Sequence, residues 1–487
     1  MTWNKEFDSA FHPRAVAFIG ATSSAARGGH RQANAGGAAF MKAYMKAGFE
    51  GKMYPVNPNA DDVLGIPAYP NMRAIPEKID LAIVCVPRSA VVDVLEECAD
   101  VGCTNIHVFT AGYGELGTEE GTAMESQLRE VATRRGLHVV GPNGFGLVYV
   151  PSAKMAMFAV GSYPPGSVAF LSQSGGWTLQ ALHYGLSQGI RYSKIISYGN
   201  GTVLDAGDFL EHLGSDPQTS IIGMYLEGVR NGRQFFETTK EVNLRKPVVI
   251  WKQGTTEAGV RAISSHTGTL AGGEQMWQAF FKQTGAVRVG TLDEFMDFTV
   301  TFNTLRPLPQ GRRVGLIVYT GGYSVVGAEI CENAGLLVPG FSSQTQKALA
   351  EFVPSAGNSV RNPVDAEFLQ LNPVALRRTL EAVANDPGVD TVVCCQNLDY
   401  QLQVGPEVIK SMGENMVEFA RENKAGKPFI AVLDIFGGNK EAREEQARIS
   451  RELTEAGALV HRTLARGAKA LGNLARYVEF VSSRERT

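Results

Sequence analysis

Residues 167–187 read SVAFLSQSGGWTLQALHYGLS. A short apolar run, Ser167–Leu171, passes through a turn of small polar residues into an amphipathic stretch, Gly176–Ser187. That pattern predicts strand, tight turn and helix, the repeating half of a parallel α/β sheet. The same plan stands upstream in AVAFIGATSS, residues 15–24, and downstream in VGLIVYTGGYS, residues 314–324. Three such openings in 487 residues, at about 150 residues per domain, predict three α/β units.

The first unit carries candidate strands Ala15–Ile19, Lys52–Val56, Leu81–Val86, Asn105–Phe109 and His138–Val140, with helices Ala90–Asp100 and Glu119–Arg135. Gly141-Pro142-Asn143-Gly144 then breaks the chain. The second unit carries strands Ser167–Leu171, Lys194–Ser197, Ser220–Leu226 and Pro247–Trp251, and a further helix Gly273–Thr284. Thr301–Arg312, with Pro307 and Pro309, reads as a linker. The third unit has strands Val314–Tyr319, Thr391–Gln396 and Pro428–Leu433, and helices Tyr323–Ala334, Val408–Glu422 and Lys440–Glu455. The expected domains are 1–147, 148–306 and 307–487.

Lys plus Arg is 46 and Asp plus Glu is 49, so the chain lacks the basic excess that phosphate neutralisation on nucleic acid needs. Hydrophobic residues at 44% allow a sizeable core. The six cysteines form no CxxC pair and no Cys/His cluster with zinc spacing, so no metal site is expected and a reducing compartment is. The N-terminal residues are polar, without a signal-peptide apolar region. No apolar run approaches about 18 residues. The expectation is a soluble cytoplasmic protein with no membrane span.

A helix N-terminus exposes unpaired N–H groups and the positive end of the dipole, so each strand–turn–helix opening suits an anion. The first turn is Gly20, Ala21, Thr22 and Ser23. It is not G-x-G-x-x-G, and no acidic residue caps the next strand, which Lys52 and Asn57 flank; this disfavours a nicotinamide dinucleotide. The second turn is Ser172, Gln173, Ser174 and Gly175. It could bind a phosphoryl group, and the same composition would serve as a ligand-free cap. No glycine stands two before Ser174, so a serine-hydrolase elbow is absent. The third turn holds Gly321 and Gly322, and a related one holds Gly437 and Gly438. Neither is a Walker A motif.

His266 lies in RAISSHTGTLAGG among small residues, which marks a loop rather than a packed core. A neutral imidazole there is a competent nucleophile, although a solvated loop histidine reads the same way. Glu227, in MYLEG, ends an apolar strand, where α/β sheets gather ligands and catalytic groups. It could orient a histidine ring, or simply meet a helix dipole.

In this order, AVAFIGAT (15–22), YPVNP (54–58), AIVCVPRS (82–89), VVGPNGFG (139–146), FLSQSGG (170–176), SYGNG (197–201), YLEG (225–228), SSHTGTLAG (264–272), TGGYS (320–324) and NPVD (362–365) resemble the NDP-forming acyl-CoA synthetases, relatives of succinyl-CoA ligase. The resemblance spans roughly residues 8–475. It implies three Rossmann/flavodoxin-like parallel-sheet domains: a coenzyme A-binding one, a succinyl-CoA ligase-like flavodoxin domain with the phosphohistidine loop, and a second flavodoxin-like domain. It implies phosphorylation of His266 with support from Glu227. It further implies phosphate contacts at Ser172, Gln173, Ser174, Gly175, Gly321, Gly322, Gly437 and Gly438. Coenzyme A contacts are implied near Gly20, Ala21, Thr22, Ser23, Lys52, Val86, Pro87 and Asn143. No ATP-grasp module is recognised, so Mg-nucleotide is expected on a separate ATP-grasp beta subunit, in a hetero-oligomer such as α2β2. One departure is Gly144, where the family often has Cys or Ser after GPN. The rival expectation is a non-catalytic CoA- or acyl-CoA-binding regulatory protein.

Overall fold

The computed structural model describes residues 7–22, 36–157, 163–264 and 272–485. The chain divides into two compact units, Met1–Leu292 and Asp293–Thr487. The first unit holds two large sheets and the second holds one.

The first sheet runs Lys52–Val56, Ala15–Ile19, Leu81–Val84, Asn105–Val108, His138–Val140, all parallel. Ala15–Ile19 is buried along its whole length. A strand covered on both faces reads as a continuous apolar run, which is why AVAFI is legible. Helix Glu119–Arg135 begins at Thr118, whose side chain accepts the Gly121 N–H, and ends at Gly136 with φ +64°. That is the usual pairing of a hydroxyl N-cap with a left-handed glycine stop.

The second sheet runs Val287–Val289, Val248–Lys252, Ile221–Leu226, Val168–Ser172, Tyr192–Ser197, Gly146–Val150, Met155–Ala156. Its first five strands are parallel, and Gly146–Val150 pairs antiparallel with both of its neighbours, Tyr192–Ser197 and Met155–Ala156. The five parallel strands keep the expected parallel-sheet plan, and Gly146–Val150 with Met155–Ala156 adds to it. The chain passes from one sheet into the next without a crossover helix, so the pair enters at an edge.

The second unit carries a parallel sheet ordered Val364–Asp365, Val314–Val318, Thr391–Asn397, Phe429–Asp434, Leu459–His461. Its core packs Leu376, Leu380, Ile409, Met416 and Leu433. The expected linker Thr301–Arg312 is shorter than its prolines suggested, because helix Leu292–Thr304 covers its start. Phe295, Met296 and Phe298 of that helix are buried, and Asp297 forms a two-bond ion pair with Arg466 at 2.7 and 2.8 Å.

Counted along the chain, the parallel strands of all three sheets follow one order, 2-1-3-4-5. In that flavodoxin-like arrangement the order reverses between the first and third strands, and ligands bind in the crevice at the strands' carboxyl ends. The three crevices therefore open at Gly20 with Cys85, at Ser172 with Glu227, and at Tyr319 with Leu398.

Candidate active site

The first crevice is built from backbone in close approach. Gly20 has φ +83°, and a Cβ there would lie 2.9 Å from the Cys85 carbonyl oxygen. Only glycine lets the first strand turn so near the third. The Gly20 N–H donates to the Val56 carbonyl at 2.9 Å, and the Asn57 amide donates to the Ala21 carbonyl at 2.8 Å. The Thr110 hydroxyl donates to the Val86 carbonyl at 2.6 Å, and Thr110 in turn accepts the Asn143 N–H at 3.1 Å. Asn143 stands at φ +60° after the cis Gly141–Pro142 bond. Gly20, Ala21, Val86, Pro87 and Asn143 thus gather at one sheet edge, with Thr22 the last described residue before 23–35. Ser23 lies outside the described residues.

Lys52 is not brought to that edge. It pairs in register with Ala15 at the opposite end of the sheet, so four strand residues, roughly 13 Å, separate it from the crevice. Its ammonium sits 2.9 Å from Glu77 instead. Arg88, Asn57 and Thr110 take places at the crevice that the sequence reading did not assign. Arg88 donates to the Gly112 carbonyl at 2.8 Å and to Glu120 at 2.7 Å.

Gly144 has a steric explanation. A Cβ there would lie 2.7 Å from the Ser197 carbonyl oxygen and 2.8 Å from the Gly199 nitrogen. The position has no room for Cys or Ser. The Gly144 carbonyl meets His107 Nε2 at 2.8 Å. His107 is fully buried, and burial pushes its pKa down to about 4.

The second crevice joins a helix N-terminus to a carboxylate. Ser172 is buried, and its hydroxyl bonds both the N–H and the carbonyl of Ser174, tightening the turn. Ser174 caps helix Gly175–Ser187 by accepting the Trp177 N–H at 3.4 Å. A Cβ on Gly175 would run into the Phe145 ring at 2.4 Å, whereas Gly176 is exposed with open space beside it. Gln173 has a specific task. Its side-chain oxygen accepts the N–H groups of Glu227 at 2.6 Å and Gly228 at 3.0 Å. The turn therefore holds the end of the neighbouring strand directly.

Glu227 is 5% exposed and accepts the Tyr225 hydroxyl at 3.3 Å. Burial raises the Tyr225 phenol, and the Glu227 charge adds to this. Tyr198 is raised by burial first and then by the charges of Asp205 and Glu227. Trp177, Tyr225 and Trp251 pack ring against ring, with Trp177 and Trp251 centroids 4.6 Å apart. Lys252, which the sequence reading passed over, donates to the Glu227 carbonyl at 2.8 Å. A lysine closing the apolar run VVIWK was the available signal. His266 lies in residues 265–271, outside the described residues. The described chain resumes at Gly272, beside Trp277.

In the second unit, Thr320 caps helix Gly321–Asn333. The Tyr319 and Tyr323 hydroxyls both donate to Asp434, at 3.1 and 2.9 Å. Burial raises the Asp434 carboxyl, and the two phenols oppose that. Carboxylates crowd both turns. A Cβ on Gly321 would lie 3.1 Å from Asp365 Oδ2. Asp399 accepts the N–H groups of Phe436 at 2.6 Å and Gly437 at 2.8 Å. The Gly437 amide is thereby committed to a side chain, while Gly438 is exposed before the Asn439 cap. Among the described residues no His, Cys, Asp and Glu cluster could hold a metal ion, and no helix is long and apolar enough to cross a membrane.

Residues 14–149 match a family described as a CoA binding domain, and residues 165–302 match one described as a succinyl-CoA ligase like flavodoxin domain. The chain is 33% identical over 437 residues to the alpha subunit of acetate–CoA ligase [ADP-forming] II of Pyrococcus furiosus, covering 90% of this chain and 92% of that one. It is 35% identical over 407 residues to acetate–CoA ligase [ADP-forming] I of Archaeoglobus fulgidus, covering 84% of this chain and 57% of that longer protein. The structure of the dinucleotide forming acetyl-coenzyme A synthetase 1 of Ca. Korarchaeum cryptofilum superimposes with a TM-score of 0.81 at 28% identity, covering 99% of each chain.

Proposed function

Since the chain belongs to the NDP-forming acyl-CoA synthetases, relatives of succinyl-CoA ligase, we propose that it carries their coenzyme and phosphohistidine half-reactions. The overall reaction is acid + CoA + NTP ⇌ acyl-CoA + NDP + phosphate. A carboxylate is a poor acylating agent, so the route runs through an acyl phosphate. Starting from acyl-CoA, a phosphate oxygen attacks the thioester carbonyl, the C–S bond breaks, and CoA leaves as thiol with the proton that phosphate gives up. His266 then takes the phosphoryl group and frees the carboxylate. Phosphoryl transfer needs positioning and charge stabilisation more than covalent help. The observation that carries this reading is the hold of Gln173 on the Glu227 and Gly228 N–H groups, which ties the backbone that bears the carboxylate to one helix N-terminus. The head of helix Gly175–Ser187 offers N–H groups to the phosphoryl oxygens, and Glu227 supports the imidazole.

Coenzyme A fits the first crevice, where Gly20 leaves the turn without a side chain beside the Cys85 carbonyl. Ala21, Thr22, Val86, Pro87 and Asn143 would line it, with Arg88 and Asn57 added and Lys52 set aside. The Mg-nucleotide belongs to an ATP-grasp partner, in a hetero-oligomer. The test is acid-labile phosphate on the purified chain after incubation with acetyl-CoA and inorganic phosphate. The expected result is phosphate on His266, none in His266→Ala, and discharge to NTP on adding partner and NDP. Acyl-CoA turnover unaffected by His266→Ala would overturn the mechanism. CoA binding without any such phosphate would favour a regulatory protein.

A further inference from the structure

Lys252 closes strand Val248–Lys252 and is 4% exposed. A buried ammonium is costly unless its donors are met. Its Nζ donates to the Glu227 carbonyl at 2.8 Å and to the Gln253 carbonyl, and it lies 5.1 Å from the centre of the Trp277 ring. Gln173 holds the Glu227 N–H from the other side. The Glu227 residue is therefore gripped at its N–H by the turn after one strand and at its C=O by the end of another. Two grips on one residue leave its carboxylate few directions. We propose that Lys252 is a positioning residue for Glu227 and acts through its charge as well as its reach, a role that rests on the phosphohistidine reading above.

The charged groups facing Lys252 are Glu227 beyond strand Ile221–Leu226, Arg288 on strand Val287–Val289 and Glu274 on helix Glu274–Thr284. Arg288 and Glu274 bond each other at 2.6 and 2.9 Å, so their influence on Lys252 largely cancels. Burial lowers the Lys252 pKa from 10.5 to about 8, and the Glu227 charge works against that fall. The charge-assisted bonds are then present below about pH 8 and weaken above it. A methionine of similar length would keep the packing and lose the charge.

The test compares the chain with Lys252→Met and Lys252→Arg in two measurements. The first is the rate of acid-labile phosphate formation from acetyl-CoA and inorganic phosphate between pH 6.5 and 9.5. The unsubstituted chain should fall about tenfold across a single limb near pH 8 and then level off at the rate of the uncharged side chain. K252M should be about tenfold slower at pH 7 and show no limb, the loss of one charge-assisted contact. K252R should move the limb beyond the measured range. The second is amide exchange over residues 221–230, where K252M should lose protection at Glu227 and Gly228. K252M with the original limb would overturn the role of the charge, and unchanged exchange would overturn positioning. Should the unsubstituted chain form no acid-labile phosphate at any pH, the phosphohistidine reading fails, and exchange still decides whether Lys252 holds Glu227.

Discussion

Glu227 shows how much a single side chain can depend on neighbours far away in sequence. Its N–H is bound by Gln173, its C=O by Lys252 and its carboxylate by Tyr225. Glu227→Gln keeps the shape and removes the charge, so those backbone bonds should survive. We expect phosphoprotein formation to fall about a hundredfold, the scale of one lost stabilising charge or donor. CoA affinity measured by calorimetry should not change, because the coenzyme crevice lies on the other sheet. Equal phosphorylation in E227Q would leave Glu227 with a structural role only. Gly144 makes the opposite case, a position decided by space. Gly144→Cys would drive a side chain against Ser197 and Gly199 backbone. Overpacking of this kind costs about 1–3 kcal/mol. Thermal unfolding should start several degrees lower, and a melting curve matching the unsubstituted chain would contradict the steric account.

At the scale of elements, the same strand–turn–helix plan gives different chemistry according to what stands beside the turn. At Ser172–Gly175 the neighbouring strand end is tied by an amide, and Gly176 leaves the helix head open. In the second unit Asp399 already occupies the Gly437 amide, and Asp365 crowds Gly321. Gly176→Ala separates stability from function at the first of these. Alanine has room there and is a better helix former than glycine by about 1 kcal/mol. Its methyl would cover part of the open helix head. We expect the melting temperature to hold or rise while phosphoprotein formation slows. A variant that is both more stable and fully active would place the phosphoryl group elsewhere. The sequence pattern showed these turns as alike, because small residues at a helix start look the same whether their donors are committed or open.

Among the described residues, three histidines are buried and each has its pKa pushed from 6.5 to about 4 by burial. His107 and His212 lie in the first unit and His461 in the second. An unfolded chain binds protons on them below about pH 6.5, and the native one does not until about 4. Stability from these groups is therefore complete above pH 6.5 and lost as pH falls toward 4, each contributing on the order of 3 kcal/mol. Calorimetry across that window should show the first unit's transition falling further than the second's; parallel shifts would refute the assignment. None of this was visible along the chain, where His107 and His138 read alike as strand residues. The apolar runs marked the central strands, because a strand buried on both faces reads as a continuous apolar run, while Gly146–Val150, Met155–Ala156, Val287–Val289, Val364–Asp365 and Leu459–His461 escaped them. The ordered motifs determined the family. Strand order lies beyond such local signals, and it sets Glu227 next to Ser172; the parallel register, which pairs Lys52 with Ala15, parts Lys52 from Gly20. Likewise Gly144 is explained only by the Ser197–Gly199 backbone, and Lys252 only by the carbonyl it meets. Periodicity reports whether a residue is buried; what it is buried against is decided by residues tens of positions away, once the sheets have formed.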